Sequence, residues 1–243
     1  MDNVSAAKIL IKSLDLTSLN HDDSTEDIKN LCKKAATPYG NTAAVCVYPE
    51  FIPIALGEVP AGVKIATVVN FPEGKADIKN TEKEIKKALK VGADEIDAVL
   101  PYKSLLEGDE EFCRQYLKSC REFCENKTLK IIIESGELKS TSLIKKASQM
   151  CIEAGADFIK TSTGKTKISA TPEAANAILE VIKSSEANVG FKASGGIKTT
   201  EDAKKYLTLA NAIMSPGWAS PAKFRIGASS VLADLQKTIE QGY

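Results

Sequence analysis

The chain of 243 residues holds a single histidine, His21, in a polar stretch beside Asp22 and Asp23. That scarcity argues against a zinc centre built on imidazoles and against a histidine general base. None of its six cysteines forms a Cys-x-x-Cys pair. Cys113, Cys120 and Cys124 fall on one face of a helix, which reads as a buried stripe of reduced thiols. Neither sign of charge is in excess, since 32 lysines and arginines balance 32 aspartates and glutamates. The balance leaves no electrostatic footprint for nucleic acid or for an anionic membrane surface. No apolar run is long enough to span a bilayer, and Met1-Asp2-Asn3 supplies no basic start for a secretory leader. A cytoplasmic protein is expected.

What is present is an alternation. Hydrophobic residues make up 43% of the chain and charged residues 26%, enough apolar material for a sizeable core. Ala6, Ile9, Leu10 and Leu14 suggest a short N-terminal amphipathic helix. Strands are expected over 13–16, 43–48, 64–70, 94–100, 129–134, 157–162, 189–194 and 211–215. Helices are expected over about 25–36, 77–91, 110–125, 142–153, 172–185, 201–207 and 229–241. The connection after the second strand is weaker, broken by Pro49, Pro53, Gly57 and Pro60. Eight strands alternating with helices predict one α/β domain over 1–243, a (β/α)₈ TIM barrel. A doubly wound open sheet is the alternative, weakened because no Gly-rich dinucleotide fingerprint follows the first strand.

Two of those strands carry a lysine near their C-terminal ends, Lys160 and Lys192. Burying an ammonium favours its neutral amine, and a second cation nearby pushes the same way. Free lysine titrates near ~10.4, and an amine ready at neutral pH needs about 3–4 kcal/mol of extra penalty on its cation. The pair therefore points to Schiff-base chemistry on a carbonyl compound. An internal echo adds a third residue. Gly92-Ala93-Asp94-Glu95-Ile96-Asp97 matches Gly155-Ala156-Asp157-Phe158-Ile159-Lys160 two βα units later. Asp97 and Lys160 thus hold equivalent positions on strands four and six. Alternate strands share one layer of inward side chains in such a barrel. A structural ion pair is the bland reading of two opposite charges there. Asp97 could otherwise shuttle protons.

Anion-binding parts follow the last strands: Gly164-Lys165, Ser194-Gly195-Gly196 and Gly227-Ala228-Ser229-Ser230. Glycines let backbone approach an anion closely, and a helix N-terminus offers free amides. Thr163-Gly164-Lys165-Thr166 imitates the end of a nucleotide-binding P-loop, but position 159 is isoleucine where that loop needs glycine.

These residues, with Asp15-Leu16-Thr17, Asn41-Thr42-Ala43-Ala44-Val45-Cys46-Val47-Tyr48-Pro49, Asn70-Phe71-Pro72 and Glu134-Ser135-Gly136-Glu137-Leu138, closely resemble deoxyribose-phosphate aldolase. The resemblance covers nearly the whole chain in order. It implies a class I aldolase on a (β/α)₈ barrel. Such an enzyme reversibly cleaves 2-deoxy-D-ribose 5-phosphate to acetaldehyde and D-glyceraldehyde 3-phosphate, with no metal or other cofactor. By position, Lys160 would carry the imine, Lys192 would perturb it and Asp97 would move protons. The resemblance puts the phosphate on Gly164, Lys165, Gly195, Gly196, Gly227, Ser229 and Ser230, and puts Asp15 and Thr17 near the reacting end. Cys46 matches an active-site cysteine, and the terminal Tyr243 a proton-moving tyrosine. Lys198 stands where the family often has arginine. The expected partner is a small sugar phosphate, and the expected assembly a monomer or homodimer. Another lysine-dependent aldolase or transaldolase, or a catalytically silent barrel, are the rival readings.

Overall fold

Period-two alternation resolves into eight short strands: β1 (Leu14–Thr17), β2 (Ala44–Val47), β3 (Lys64–Val69), β4 (Glu95–Val99), β5 (Thr128–Ile132), β6 (Phe158–Lys160), β7 (Gly190–Ser194) and β8 (Phe224–Ala228). The computed structural model describes residues 1–242, and the expectation for Tyr243 lies outside the described residues. Every strand pairs in parallel with the next, and β8 pairs with β1, so the sheet closes into a barrel. Closure leaves no edge with unpaired backbone groups.

The helices are α1 (Asn3–Lys12), α2 (Thr25–Lys34), α3 (Ile52–Glu58), α4 (Ile78–Lys90), α5 (Tyr102–Leu106), α6 (Glu110–Cys124), α7 (Ser135–Leu138), α8 (Thr141–Glu153), α9 (Pro172–Ser185), α10 (Thr200–Ile213) and α11 (Val231–Gln241). Their starts are written locally. Capping boxes pair Ser24 with Asp27 and Thr199 with Asp202, so each satisfies two orphan backbone groups reciprocally. Pro172 opens α9 behind the Thr171 cap, where a missing N–H costs nothing. The proline-rich stretch after β2 holds a 3₁₀ turn, Pro49–Phe51, that runs into α3. The N-terminal helix is present, and it packs against α10 and α11.

One strand expectation is corrected. Residues 211–215 belong mostly to α10 and the turn after it, and the eighth strand is Phe224–Ala228. The capping box commits that segment to helix, and the stripe Ala203, Tyr206, Leu207, Ala210 continues at helical spacing. Five residues are too few to separate the two periods. The true strand was masked because its inward positions are Arg225 and Gly227. Gly227 and Ala228 accordingly end β8 and do not follow it.

Outward side chains of the strands join the helices in one large apolar core. Inward side chains line the lumen. One wall is apolar, with Ala44, Cys46, Ala66 and Val68 under Leu19. The opposite wall carries charge: Asp15, Glu95, Asp97, Lys130, Lys160, Lys192 and Arg225 are all buried. Phe158 packs against the Arg225 guanidinium, 5.4 Å from ring centroid to Cζ. A Cβ at position 190 would sit 2.5 Å from the Phe158 ring, so Gly190 makes room for it.

Candidate active site

Strand register places the key groups. Asp97 pairs with Lys130 across β4 and β5, while Lys160 pairs with Ile132 across β5 and β6. Asp97 and Lys160 are therefore staggered by two residues over two strands. The tilt of barrel strands converts that stagger into equal height. Lys160 Nζ lies 2.7 Å from Asp97 Oδ2. Lys192 pairs directly with Lys160 on the neighbouring strand and donates to the same oxygen at 2.8 Å. The three residues singled out in the sequence converge at one point.

Burial and Lys192 lower the affinity of Lys160 for its proton, against the pull of Asp97. Burial would also lower Lys192, but Asp15 and Asp97 outweigh it and hold Lys192 as an ammonium. Asp97 behaves likewise with the sign reversed. Burial raises a carboxyl, yet Lys130, Lys160 and Lys192 together keep Asp97 well below the usual carboxylate range. The resting site thus pairs an ionised carboxylate and a firm ammonium with an amine that releases its proton easily.

Three charged residues join this site that the sequence alone did not single out. Lys130 Nζ contacts Asp97 Oδ1 at 2.8 Å and Glu95 Oε2 at 2.6 Å. Arg225 bridges Asp15 at 2.5 Å and Glu95 at 3.0 Å. Lys130 had a visible signal, a lysine inside the apolar run Leu129-Lys130-Ile131-Ile132-Ile133.

Above the lysine opens a cleft of about 260 Å³. Lys160 forms part of its wall, with Thr17, Gly164, Lys165, Gly195, Gly196, Gly227, Ser229 and Ser230 around it. Lys198 lines it too. Asp15 and Cys46 are fully buried and do not reach it. Asp15 instead holds Lys192 at 2.5 Å. The Cys46 thiol lies on the apolar wall, and burial raises its pKa, with Asp97 acting in the same direction.

The loops of the cleft are packed for close approach. Gly195, at φ +87°, sits where a Cβ would lie 2.5 Å from Ser169 Cβ and 3.0 Å from Gly164 Cα. Gly227 lies over Lys192, where a Cβ would approach Cε to 3.0 Å. It therefore serves lysine packing as well as the cleft lining. Ser230 caps α11 without a side-chain hydrogen bond, and it and Ser229 line the cleft at the helix N-terminus. Lys165 reaches across the mouth to the Leu19 carbonyl at 2.7 Å. Below the loop, Glu134 occupies the left-handed region at φ 50° and accepts from the Thr163 hydroxyl at 2.5 Å and from its amide at 3.3 Å. Glu134 belongs to a quoted sequence motif, but its grip on the Thr163 loop was not foreseen.

Comparison with known proteins agrees with this fold. A family model described as DeoC/LacD family aldolase matches residues 9–237. A Coccidioides immitis structure, provisionally named deoxyribose-phosphate aldolase, is 30% identical, with TM-score 0.84 over 98% of this chain and 87% of its own. A Toxoplasma gondii structure with the same provisional name is 25% identical, with TM-score 0.90 over 98% of both chains. A tetrameric deoxyribose phosphate aldolase from Aeropyrum pernix, at 23% identity and TM-score 0.75 over 100% of this chain and 98% of its own, shares the fold. By its matched residues and its barrel, this chain belongs to the DeoC/LacD family of aldolases.

Proposed function

We propose that the chain is a class I aldolase that reversibly cleaves 2-deoxy-D-ribose 5-phosphate to acetaldehyde and D-glyceraldehyde 3-phosphate through an imine on Lys160. One observation carries this reading. The Lys160 amine lies at the cleft wall, on an oxygen that it shares with a firm ammonium, and its proton is held weakly.

In the forward direction the phosphate settles among Gly195, Gly196, Ser229 and Ser230, with Lys165 and Lys198 nearby. Neutral Lys160 attacks the C1 aldehyde, and its proton passes toward Asp97. Loss of water from the carbinolamine gives a protonated imine, which draws electrons from the C2–C3 bond. Asp97, directly or through a water it orders, takes the proton of the C3 hydroxyl. The C2–C3 bond then breaks, its electron pair moving into the enamine as C3 becomes the aldehyde of glyceraldehyde 3-phosphate. Protonation of the enamine at C2 and addition of water release acetaldehyde and restore the amine. Lys192 keeps the amine from holding a proton between turnovers. Thr17 stands beside the reacting carbons, and Asp15 acts from below by fixing Lys192.

Borohydride added with deoxyribose 5-phosphate should leave a stable adduct on Lys160, located by peptide mapping. An adduct on another lysine, or none, would sink the scheme. Product analysis separates this reaction from cleavage of a ketose phosphate, since only the former liberates acetaldehyde.

A further inference from the structure

Six of the seven lumen charges close a ring. Its order is Asp97, Lys192, Asp15, Arg225, Glu95, Lys130 and back to Asp97, through contacts of 2.8, 2.5, 2.5, 3.0, 2.6 and 2.8 Å. Signs alternate all the way round, so three carboxylates balance three cations. None of the six is more than 6% exposed. Lys160 is the seventh charge and hangs on the ring by its 2.7 Å contact to Asp97 Oδ2. Both Asp97 oxygens already serve ring cations, Lys130 on Oδ1 and Lys192 on Oδ2. A cation at position 160 therefore has no carboxylate of its own.

We propose that Arg225 and Glu95, which do not line the cleft, act as positioning residues whose opposite charges keep the ring neutral and so leave the Lys160 amine free of its proton. Both lie on the far side of the ring from Lys160. Arg225 is anchored independently by the Phe158 ring and by the Pro221 carbonyl, which accepts from its Nε. Its charge is thus held even when the site above it rearranges. Other groups also face the Lys160 amine. Cys46 does so from β2, Asp97 from β4, Glu134 from beyond β5 and Lys192 from β7, Lys130 on β5 reaches it only through their shared Asp97, and Lys165 and Lys198 share the cleft wall. Replacing Arg225 or Glu95 removes none of these groups, and Lys130 alone among them loses a direct partner, its 2.6 Å contact to Glu95.

The consequence has a sign that packing alone does not produce. Arg225→Met leaves the ring one negative charge in excess, which favours the Lys160 ammonium and raises its titration midpoint. Glu95→Gln leaves one positive charge in excess and lowers it. The double variant restores neutrality and returns the midpoint toward the native value. Arg225→Lys keeps the charge and stays near native. A unit charge a few residues away in a buried site shifts the midpoint by about one pH unit, a tenfold change in neutral amine.

The measurement is a pH titration of the lysine Cε and Nζ resonances in full-length protein labelled with ¹³C and ¹⁵N lysine, the Lys160 signal being assigned by its loss in Lys160→Met. Opposite shifts in the two single variants, cancelling in the double, are expected. Unshifted midpoints, or shifts of one sign in both, would overturn the proposal. If Arg225→Met fails to fold, Glu95→Gln and the double variant decide it. The importance of the ring for catalysis rests on Lys160 being the imine lysine. Borohydride trapping on the same proteins tests that separately, because the titration reads the amine whether or not it forms an imine.

Discussion

Lys160 and Lys192 donate to the same oxygen, Oδ2 of Asp97, at 2.7 and 2.8 Å. Two ammonium groups on one oxygen repel each other in a buried site, and the one with fewer other partners gives way. Lys192 also has Asp15 at 2.5 Å, whereas Lys160 has only the shared carboxylate among the ion pairs of the described residues. Both lysines are buried, so the asymmetry of partners decides which of them yields its proton more easily.

Lys192→Leu removes the competing cation. Lys160 then holds its proton more firmly, and the pH at which imine formation reaches half its maximum moves up. At neutral pH trapping slows by about tenfold for each unit of that shift. The rate of borohydride trapping against pH checks it, and a superimposable profile contradicts the perturbing role of Lys192.

Asp97→Asn leaves Lys130, Lys160 and Lys192 facing one another without their shared anion. Turnover should fall by roughly 10²–10⁴ with loss of the proton acceptor. Stability should fall by about 3–5 kcal/mol, the cost of uncompensated buried charge. The native protein should also be acid-sensitive. Burial raises both Asp15 and Asp97, but lysine and arginine partners outweigh it and hold both below the usual carboxylate range. Their contribution is complete above the ordinary carboxylate pKa and is lost as pH falls toward the depressed folded values. Urea midpoints should therefore drop steeply below about pH 4 in the native protein and less steeply in Asp97→Asn.

Gly195→Ala places a methyl 2.5 Å from Ser169 Cβ at a φ of +87°. The strain is about 1–3 kcal/mol and pushes the loops after β6 and β7 apart. KM for deoxyribose 5-phosphate should rise about tenfold, near the middle of that range. The kcat should change little. With unphosphorylated deoxyribose the variant and native enzymes should converge, and steady-state kinetics on both sugars test this.

Glu134 has its carboxyl raised above the usual value, first by burial, with the Thr163 and Thr166 bonds opposing. A raised folded pKa means its contribution is complete below the unfolded pKa and is lost as pH rises through the folded one. Glu134→Gln removes the ionisation and keeps an acceptor for the Thr163 amide. Urea unfolding should show equal stability at acid pH and a variant more stable by up to about 1 kcal/mol at pH 8. Lower stability at pH 8 would show that the charge itself holds the loop.

Much of the site could be read from the chain. Lys160 and Lys192 announce themselves as charges on short buried strands, and the Gly-Ala-Asp echo places Asp97 at the height of Lys160. The glycines after β6 and β7 mark a cleft because close backbone approach needs them. Arg225 was hidden by the misplaced eighth strand, and Glu95 by its place in the echo, opposite an unremarkable Phe158. Asp15 was expected beside the substrate and lies beneath the floor of the cleft, bound to Lys192 and Arg225.

Alternation, caps and turn residues are local properties, so the sequence by itself determined seven of the eight strands, the helices between most of them and the two lysines that could do imine chemistry. Which charges meet is a different matter. Asp15 and Arg225 are 210 positions apart, and only closure of β8 onto β1 brings them to 2.5 Å. Coulomb energy depends on distance and surroundings, and both are set when the barrel closes. Tertiary structure therefore decided that Lys192 stays charged, that Asp97 stays ionised and that Lys160 is left as the cation without a carboxylate of its own.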